Sequence, residues 1–293
     1  MYGRSIIIVG VPRSGTSMTA KLVKEWGAQA GADQHFASPD AFNQTGYWEY
    51  LPLKNFHDTL LRACGASMIS PPSEAQLREL AHDPHWREQA FALLREMGEN
   101  IWFWKQPLLS FLLPFWQEVW GNPVFIICIR NPISGALSQK RMFEARILRR
   151  DTPVDNFPLS GALLLWQHSM LSILKNTHGS TRKIFVSYER TIADYAAACS
   201  AIHASLHRML GINGNLAAML TVLDPKLQHH SDTDAAFFDS DHASHEQKEL
   251  YRFLLKKTTN AEEPFIPEKY PMPSNWKEIL TDLQSWHASF LKK

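Results

Sequence analysis

Ile7-Ile8-Val9-Gly10-Val11-Pro12-Arg13-Ser14-Gly15-Thr16-Ser17 is an apolar run that passes into a glycine-bounded turn and then into hydroxyl side chains. It meets the phosphate-loop pattern G-x-x-x-x-G-K-[ST] at Gly10, Gly15 and Ser17 and departs from it at Thr16, where the lysine belongs. The nearby cation is Arg13, inside the loop. A strand that turns through such a loop into a helix gathers backbone N–H groups and the positive end of the helix dipole around one point, which favours a phosphate or sulfate there. In a nucleoside triphosphatase the lysine reaches the β- and γ-phosphates while the Ser/Thr hydroxyl binds magnesium. The displaced charge therefore counts against triphosphate chemistry.

Outward from this turn, short β-branched or aromatic runs alternate with longer amphipathic segments, the pattern of βα units around a mostly parallel sheet. Strands are predicted at Ser5–Val9, Ile101–Trp104, Val124–Ile129 and Lys183–Ser187. Their apolar character is continuous rather than alternating, which suits strands covered on both faces. Helices are predicted over 15–26, 53–63, 74–98, 132–149, 159–177, 192–210, 245–257 and 276–292. The polar stretch Asp224 to Ser244 has neither period and reads as a loop. The expected fold is α/β, a three-layer α/β/α sandwich in one domain over residues 1–293, with a C-terminal helical part from about 225.

The hydrophobic fraction of 45% and charged fraction of 20% are those of an ordinary globular chain, and a net charge of +1 excludes a strong global field for nucleic acid. Any anion site must be local. Cys64, Cys128 and Cys199 form no C-x-x-C and suggest neither a disulfide framework nor a zinc ribbon, in keeping with a reducing compartment. His203 with His207 and His229 with His230 lack a third ligand at sensible spacing, so no metal site is expected. The N-terminus enters the first strand directly, which argues against an export signal. The apolar stretches 102–116 and 157–174 are interrupted by Lys105, Pro107, Pro114, Gln167 and His168, unlike a membrane span. These features read as a cytoplasmic protein.

A second anion motif follows in Phe125-Ile126-Ile127-Cys128-Ile129-Arg130-Asn131-Pro132-Ile133-Ser134-Gly135-Ala136-Leu137-Ser138, an apolar strand ending in arginine, then a proline suited to the first turn of a helix, then a serine about two turns along. Together the two segments are similar to the 5′-phosphosulfate loop and 3′-phosphate motif of sulfotransferases that use 3′-phosphoadenosine 5′-phosphosulfate (PAPS). The first loop is most like that of tyrosylprotein sulfotransferases and many bacterial relatives. Trp104-Lys105-Gln106-Pro107-Leu108 resembles their W-K-[DE]-P-R segment, with Gln106 and Leu108 as departures. Asn43-Gln44-Thr45-Gly46-Tyr47-Trp48-Glu49 resembles N-P-K-G-[YF]-[WF]-E, departing at Gln44 and Thr45. Lys183 to Glu189 resembles their late strand ending in Tyr-Glu, and Leu223 to Leu227 a short late segment that includes Lys226. The likeness runs from the N-terminus to about Lys226.

The resemblance implies a P-loop NTPase-like fold and transfer of a sulfuryl group from PAPS to a hydroxyl or amine of a carbohydrate, lipid or small-molecule acceptor, with no metal required. Cofactor binding falls by the same resemblance on Arg13, Ser14, Gly15, Thr16, Ser17, Arg130 and Ser138, with Tyr188 near the adenine. Arg13 and Lys105 are expected to stabilise the leaving oxygen and the sulfonate, and Glu49 to take the acceptor's proton, with His57 and Asp58 in reserve. Two other readings of the residues stay open, a nucleotide kinase with an altered loop and a non-catalytic nucleotide-binding protein. The first calls for an aspartate at the end of a strand; Val124–Ile129 ends instead in Arg130 and Asn131.

Overall fold

The computed structural model describes residues 4–31, 36, 46–148, 157–222, 234–259 and 263–291. The strands are β1 (Ser5–Val9), β2 (Trp102–Lys105), β3 (Val124–Ile129) and β4 (Lys183–Ser187), all parallel, in the order β2-β1-β3-β4. β1 and β3 are buried at every residue, and their isoleucines and valines fit a pleat packed on both faces. The register sets Ile8 beside Lys105, Val9 beside Ile127 and Ile129 beside Ser187. The four strands therefore finish along one edge of the sheet, where ligands of open parallel sheets bind.

The helices run in chain order as α1 (Thr16–Trp26), α2 (Leu51–Ala63), α3 (Glu74–His82), α4 (Pro84–Glu96), α5 (Leu109–Gln117), α6 (Pro132–Leu148) and α7 (Leu159–Asn176). They continue as α8 (Tyr188–Ala193), α9 (Tyr195–Leu210), α10 (Leu216–Met219), α11 (Asp234–Phe238), α12 (His245–Lys257) and α13 (Trp276–Leu291). Alternate strand residues face opposite cores. Ile6, Ile8, Ile126 and Val186 pack with Leu22 and Trp26 of α1 and Ile202 and Leu206 of α9. Ile7, Val9, Trp104 and Ile127 pack with α2, α5, α7 and α12 through Leu60, Trp116, Ile173 and Leu254. The result is three layers, with helices on both faces of a parallel sheet, as the apolar runs predict.

Local chemistry redraws several predicted boundaries. The single helix predicted over 74–98 is two, because Asp83 caps a new start by accepting the His85 amide at 2.8 Å while Pro84 takes the first helical position. α5 carries no prediction: it is apolar on every side, has Pro114 inside it, and is buried from Leu109 to Trp116, so no period marks it. The predicted helix 192–210 is divided at Asp194, whose carboxylate accepts the Ala197 amide at 3.0 Å. The 224–244 stretch is not loop throughout; α11 inserts buried Phe237 between Trp166 and Tyr251. In the C-terminal part, Gln167 of α7 donates to the Pro271 carbonyl at 2.8 Å, and Gly161 lets Leu283 of α13 close on α7. No helix among the described residues is long and apolar enough to cross a membrane.

The layer that carries α1 is held by a close approach. Trp26 donates to His203 Nδ1 at 3.2 Å and its carbonyl accepts the Asn215 amide at 2.9 Å, with Gly214 against the indole. A Cβ at Gly214 would lie 2.2 Å from that ring. Gly214→Ala is expected to lower unfolding free energy by about 1–3 kcal/mol, as overpacking does. Gly121→Ala, which meets nothing within 4 Å, is expected to be near neutral. Denaturant melts of the two variants check this.

Candidate active site

Each backbone carbonyl of the loop after β1, from Gly10 to Arg13, accepts a hydrogen bond. Gly10 O accepts Ser110 Oγ at 3.1 Å, Val11 O the Ser14 amide at 3.1 Å, Pro12 O Gln139 Nε2 at 3.0 Å and Arg13 O an Arg130 nitrogen at 2.9 Å. The N-cap of α1 is Gly15, in the left-handed region at φ 87°, and no side chain caps the helix. Its first-turn amides are thus left for a ligand or solvent. Arg13 is itself left-handed at φ 71°, a conformation costing a non-glycine residue about 1–2 kcal/mol. Ser14 Oγ is buried and has no hydrogen-bond partner among the described residues. At Gly10 a Cβ would lie 2.6 Å from that oxygen and 2.9 Å from Cys128 O. Backbone amides and an orphaned hydroxyl together fit an anionic group such as a phosphate.

The β3 end joins this loop directly. Arg130 is buried, and its guanidinium carbon lies 4.4 Å from the centre of the Tyr188 ring. Tyr188 in turn abuts Gly15, where a Cβ would lie 2.9 Å from Tyr188 Cδ2. Asn131 caps α6 by accepting the Ile133 and Ser134 amides, each at 3.1 Å. Ser138 lies two turns along α6 and accepts Arg13 Nε at 3.0 Å. Thr16 is buried and Ser17 half-buried in the first turn of α1. The structure therefore gathers Arg13, Ser14, Gly15, Arg130, Ser138 and Tyr188 into one connected unit.

At the end of β2, Lys105 is 2% exposed and pairs with Glu49, 14% exposed, at 2.8 Å. Burial pushes the ammonium below the ordinary lysine value; Glu49 opposes this and the Arg13 charge adds to it. Trp48, just before Glu49, is left-handed at φ 54°, with Lys24 over its ring at 4.5 Å. Among the described residues the left-handed non-glycines are Arg13 and Trp48, and both flank this site. Tyr47 sets its ring 6.0 Å from Lys105 Nζ.

His57 is elsewhere in character. It is fully buried, its Nε2 accepts Trp116 Nε1 at 2.8 Å, and Nδ1 lies 3.1 Å from Gln106 Oε1. Indole N–H only donates, so Nε2 accepts and Nδ1 carries the neutral ring's proton. Both nitrogens are engaged in the core, which removes the ring from reach of an acceptor. Gln106 Oε1 also accepts the Leu108 amide at 2.7 Å, so the glutamine in place of an acidic residue holds the entry to α5. Asp58 is paired with Lys54 at 2.7 Å on the surface of α2.

Sequence reasoning passed over Gln139, one residue beyond Ser138, and Ser110, whose tie to Gly10 no local pattern announces. It also passed over Glu189, visible in the Tyr-Glu pair but not assigned. Lys226 lies outside the described residues. No group of three or more His, Cys, Asp or Glu among the described residues is arranged to hold a metal ion.

The molecule is thus a parallel α/β sandwich with an anion loop at its strand ends and a second, arginine-bearing motif beside it. The sequence model described as the Sulfotransferase family matches residues 5–210, and the chain belongs to that family. No curated protein matches the chain significantly. Among solved structures, the sulfotransferase domain of the Synechococcus PCC 7002 olefin synthase is similar at 19% identity and a TM-score of 0.44, over 96% of this chain and 94% of that one. The sulfotransferase domain of the curacin biosynthetic pathway is similar at 15% identity and a TM-score of 0.44, over 95% and 96%. Retinol dehydratase, solved with androsterone and the inactive cofactor PAP, is similar at 13% identity and a TM-score of 0.35, over 100% and 82%.

Burial holds His57 down to about 4, from an ordinary 6.5. The unfolded chain then binds more protons than the folded one between these values, so stability is full above about pH 6.5 and falls as pH drops towards 4. The expected loss from this ring is about 3 kcal/mol. Urea melts from pH 7 to 4 should show it, and His57→Gln, which can accept from Trp116 and donate to Gln106, should flatten the slope.

Proposed function

We propose that this sulfotransferase takes its sulfuryl group from 3′-phosphoadenosine 5′-phosphosulfate and passes it to a hydroxyl or amine of a carbohydrate, lipid or other small acceptor. The observation that carries the reading is the direct linkage of the loop to the β3–α6 motif beside the buried Lys105–Glu49 pair. One unit would grip both phosphates of a doubly phosphorylated nucleoside. The other would serve the reacting end.

On this reading Ser14, Gly15, Thr16 and Ser17 hold the 5′-phosphate with the α1 amides, and Arg130 with Ser138 holds the 3′-phosphate through charge-assisted bonds. Arg13 bridges the two ends, because its Nε rests on Ser138 while its charge acts on Lys105. In the transfer, the sulfur–oxygen bond to the 5′-phosphate breaks, a bond from sulfur to the acceptor oxygen or nitrogen forms, and the acceptor's proton passes to Glu49. Arg13 and Lys105 stabilise the oxygen left with the electron pair. The transferred group is less highly charged than a triphosphate, which accords with arginine inside the loop and threonine at the lysine position. Glu49 is the more exposed partner of its pair and can be approached from outside; Lys105 sits beneath it. Cytoplasmic location and a single catalytic domain complete the proposal.

Calorimetry is the first test. The chain should bind adenosine 3′,5′-bisphosphate without added divalent ion and more tightly than ATP with magnesium; the opposite preference supports the kinase reading. A sulfur-35 transfer screen over carbohydrates, lipids, phenols and peptides then separates an enzyme from a binding protein. Glu49→Gln, which keeps a hydrogen-bond partner for Lys105, should lower kcat by about 10²–10⁴ while bisphosphate affinity stays within about threefold. Turnover near that of the unaltered enzyme removes Glu49 as the base.

A further inference from the structure

We propose that Glu189 is a positioning residue that sets Arg130 to recognise the 3′-phosphate, and so lets the site tell a 3′-phosphorylated adenosine nucleotide from one lacking that group. The inference rests on the donor assignment above and extends it to a residue outside the proposed phosphate-binding set.

Glu189 bridges the two strands next to the 3′-phosphate motif. From the first turn of α8, its Oε1 accepts the Asn131 amide just beyond β3 at 2.9 Å, and its Oε2 accepts Ser187 Oγ at the end of β4 at 3.2 Å. Asn131 is thereby held twice, its amide by Glu189 and its side chain by the first turn of α6. Arg130, the residue before it, is fixed on its other side by the ring of Tyr188 and by the Arg13 carbonyl. The adjacent pair Tyr188-Glu189 thus grips the adjacent pair Arg130-Asn131, one ring under the guanidinium and one carboxylate on the following amide. Tyr188 also touches Gly15, so the grip registers the arginine against the anion loop.

Stability alone does not call for a carboxylate at this place. Burial raises the Glu189 carboxyl above the ordinary glutamate value, opposed by the Asn131 amide and the Arg130 charge. A neutral acceptor would satisfy the same amide with less desolvation. What the carboxylate adds is an anchor that accepts with both oxygens and draws the neighbouring cation to one orientation. Arginine recognises phosphate through a planar fork, so its value depends on that orientation.

The test is isothermal titration of the full chain and its variants with adenosine 3′,5′-bisphosphate and with adenosine 5′-monophosphate. The unaltered chain should prefer the bisphosphate. In Glu189→Ala that preference should fall about tenfold, with monophosphate affinity within about twofold of the starting value. Glu189→Gln, which keeps an acceptor for the Asn131 amide but loses the charge and the second accepting oxygen, should lower the preference by an intermediate amount, about threefold. An undiminished preference in Glu189→Ala, or equal weakening of both nucleotides, overturns the positioning role. Should the alanine variant not fold, Glu189→Asp, one methylene short of Asn131, must show a reduced preference, and an unchanged one overturns the inference. Absence of any bisphosphate preference in the unaltered chain instead removes the donor assignment, and this inference with it.

Discussion

A lysine ammonium sealed at the end of the outermost parallel strand, β2, sets the terms for this end of the molecule. Lys105 is paired edge-on with Ile8 of β1 and covered by the core, so water cannot solvate it. Removing such a charge from water costs several kcal/mol unless a partner is close and well aligned. Glu49 is that partner, and the backbone reaches it only by way of Trp48 in a left-handed conformation. Well-packed apolar residues of equal volume often stabilise such a place as well as a buried ion pair does. Strain in the approach and desolvation of the pair are both present at the strand ends, beside the anion loop, and on the proposed reading they serve chemistry rather than stability.

The sheet was legible because its strands are buried on both faces. Val124 to Ile129 contains no polar residue to confuse the reading, and its register with β1 follows from two uninterrupted apolar runs lying side by side. Helices were legible where one face is wet and obscure where none is. α5 has polar residues only at Ser110 and Gln117, and its burial rather than any period makes it a helix in the core. The break at Asp83-Pro84 was written locally in a capping aspartate and a proline, yet the amphipathic pattern on either side runs across it.

The site divided along a similar line. Gly10, Arg13, Gly15, Arg130 and Ser138 announce themselves by spacing, because an anion loop needs its glycines and donors at fixed places along one chain segment. Partners distant in sequence do not. His57 looks like any histidine beside an aspartate on an amphipathic helix, and its character is decided by Trp116 and Gln106, far away in the chain. A tryptophan N–H on one nitrogen and an amide oxygen on the other convert a titratable side chain into a neutral piece of core. The resemblance assigned Arg13 to the leaving oxygen and Ser138 to the far phosphate. The Arg13–Ser138 hydrogen bond links those two assignments in space.

That bond belongs to a wider arrangement that explains how a loop can attract anions with no lysine at its end. Every turn of backbone offers carbonyl oxygens as well as amides, and exposed carbonyls would repel a phosphate. Here the carbonyls from Gly10 to Arg13 are each occupied, by Ser110, the Ser14 amide, Gln139 and Arg130 in turn. Three of these four donors come from side chains on other elements, α5, α6 and the end of β3. The loop's polarity is thus imposed from behind by the layers that surround it. With its negative dipole ends engaged in this way, the loop keeps uncapped α1 amides and an unpartnered Ser14 hydroxyl as its donors, and the positive charge can sit in the loop at Arg13.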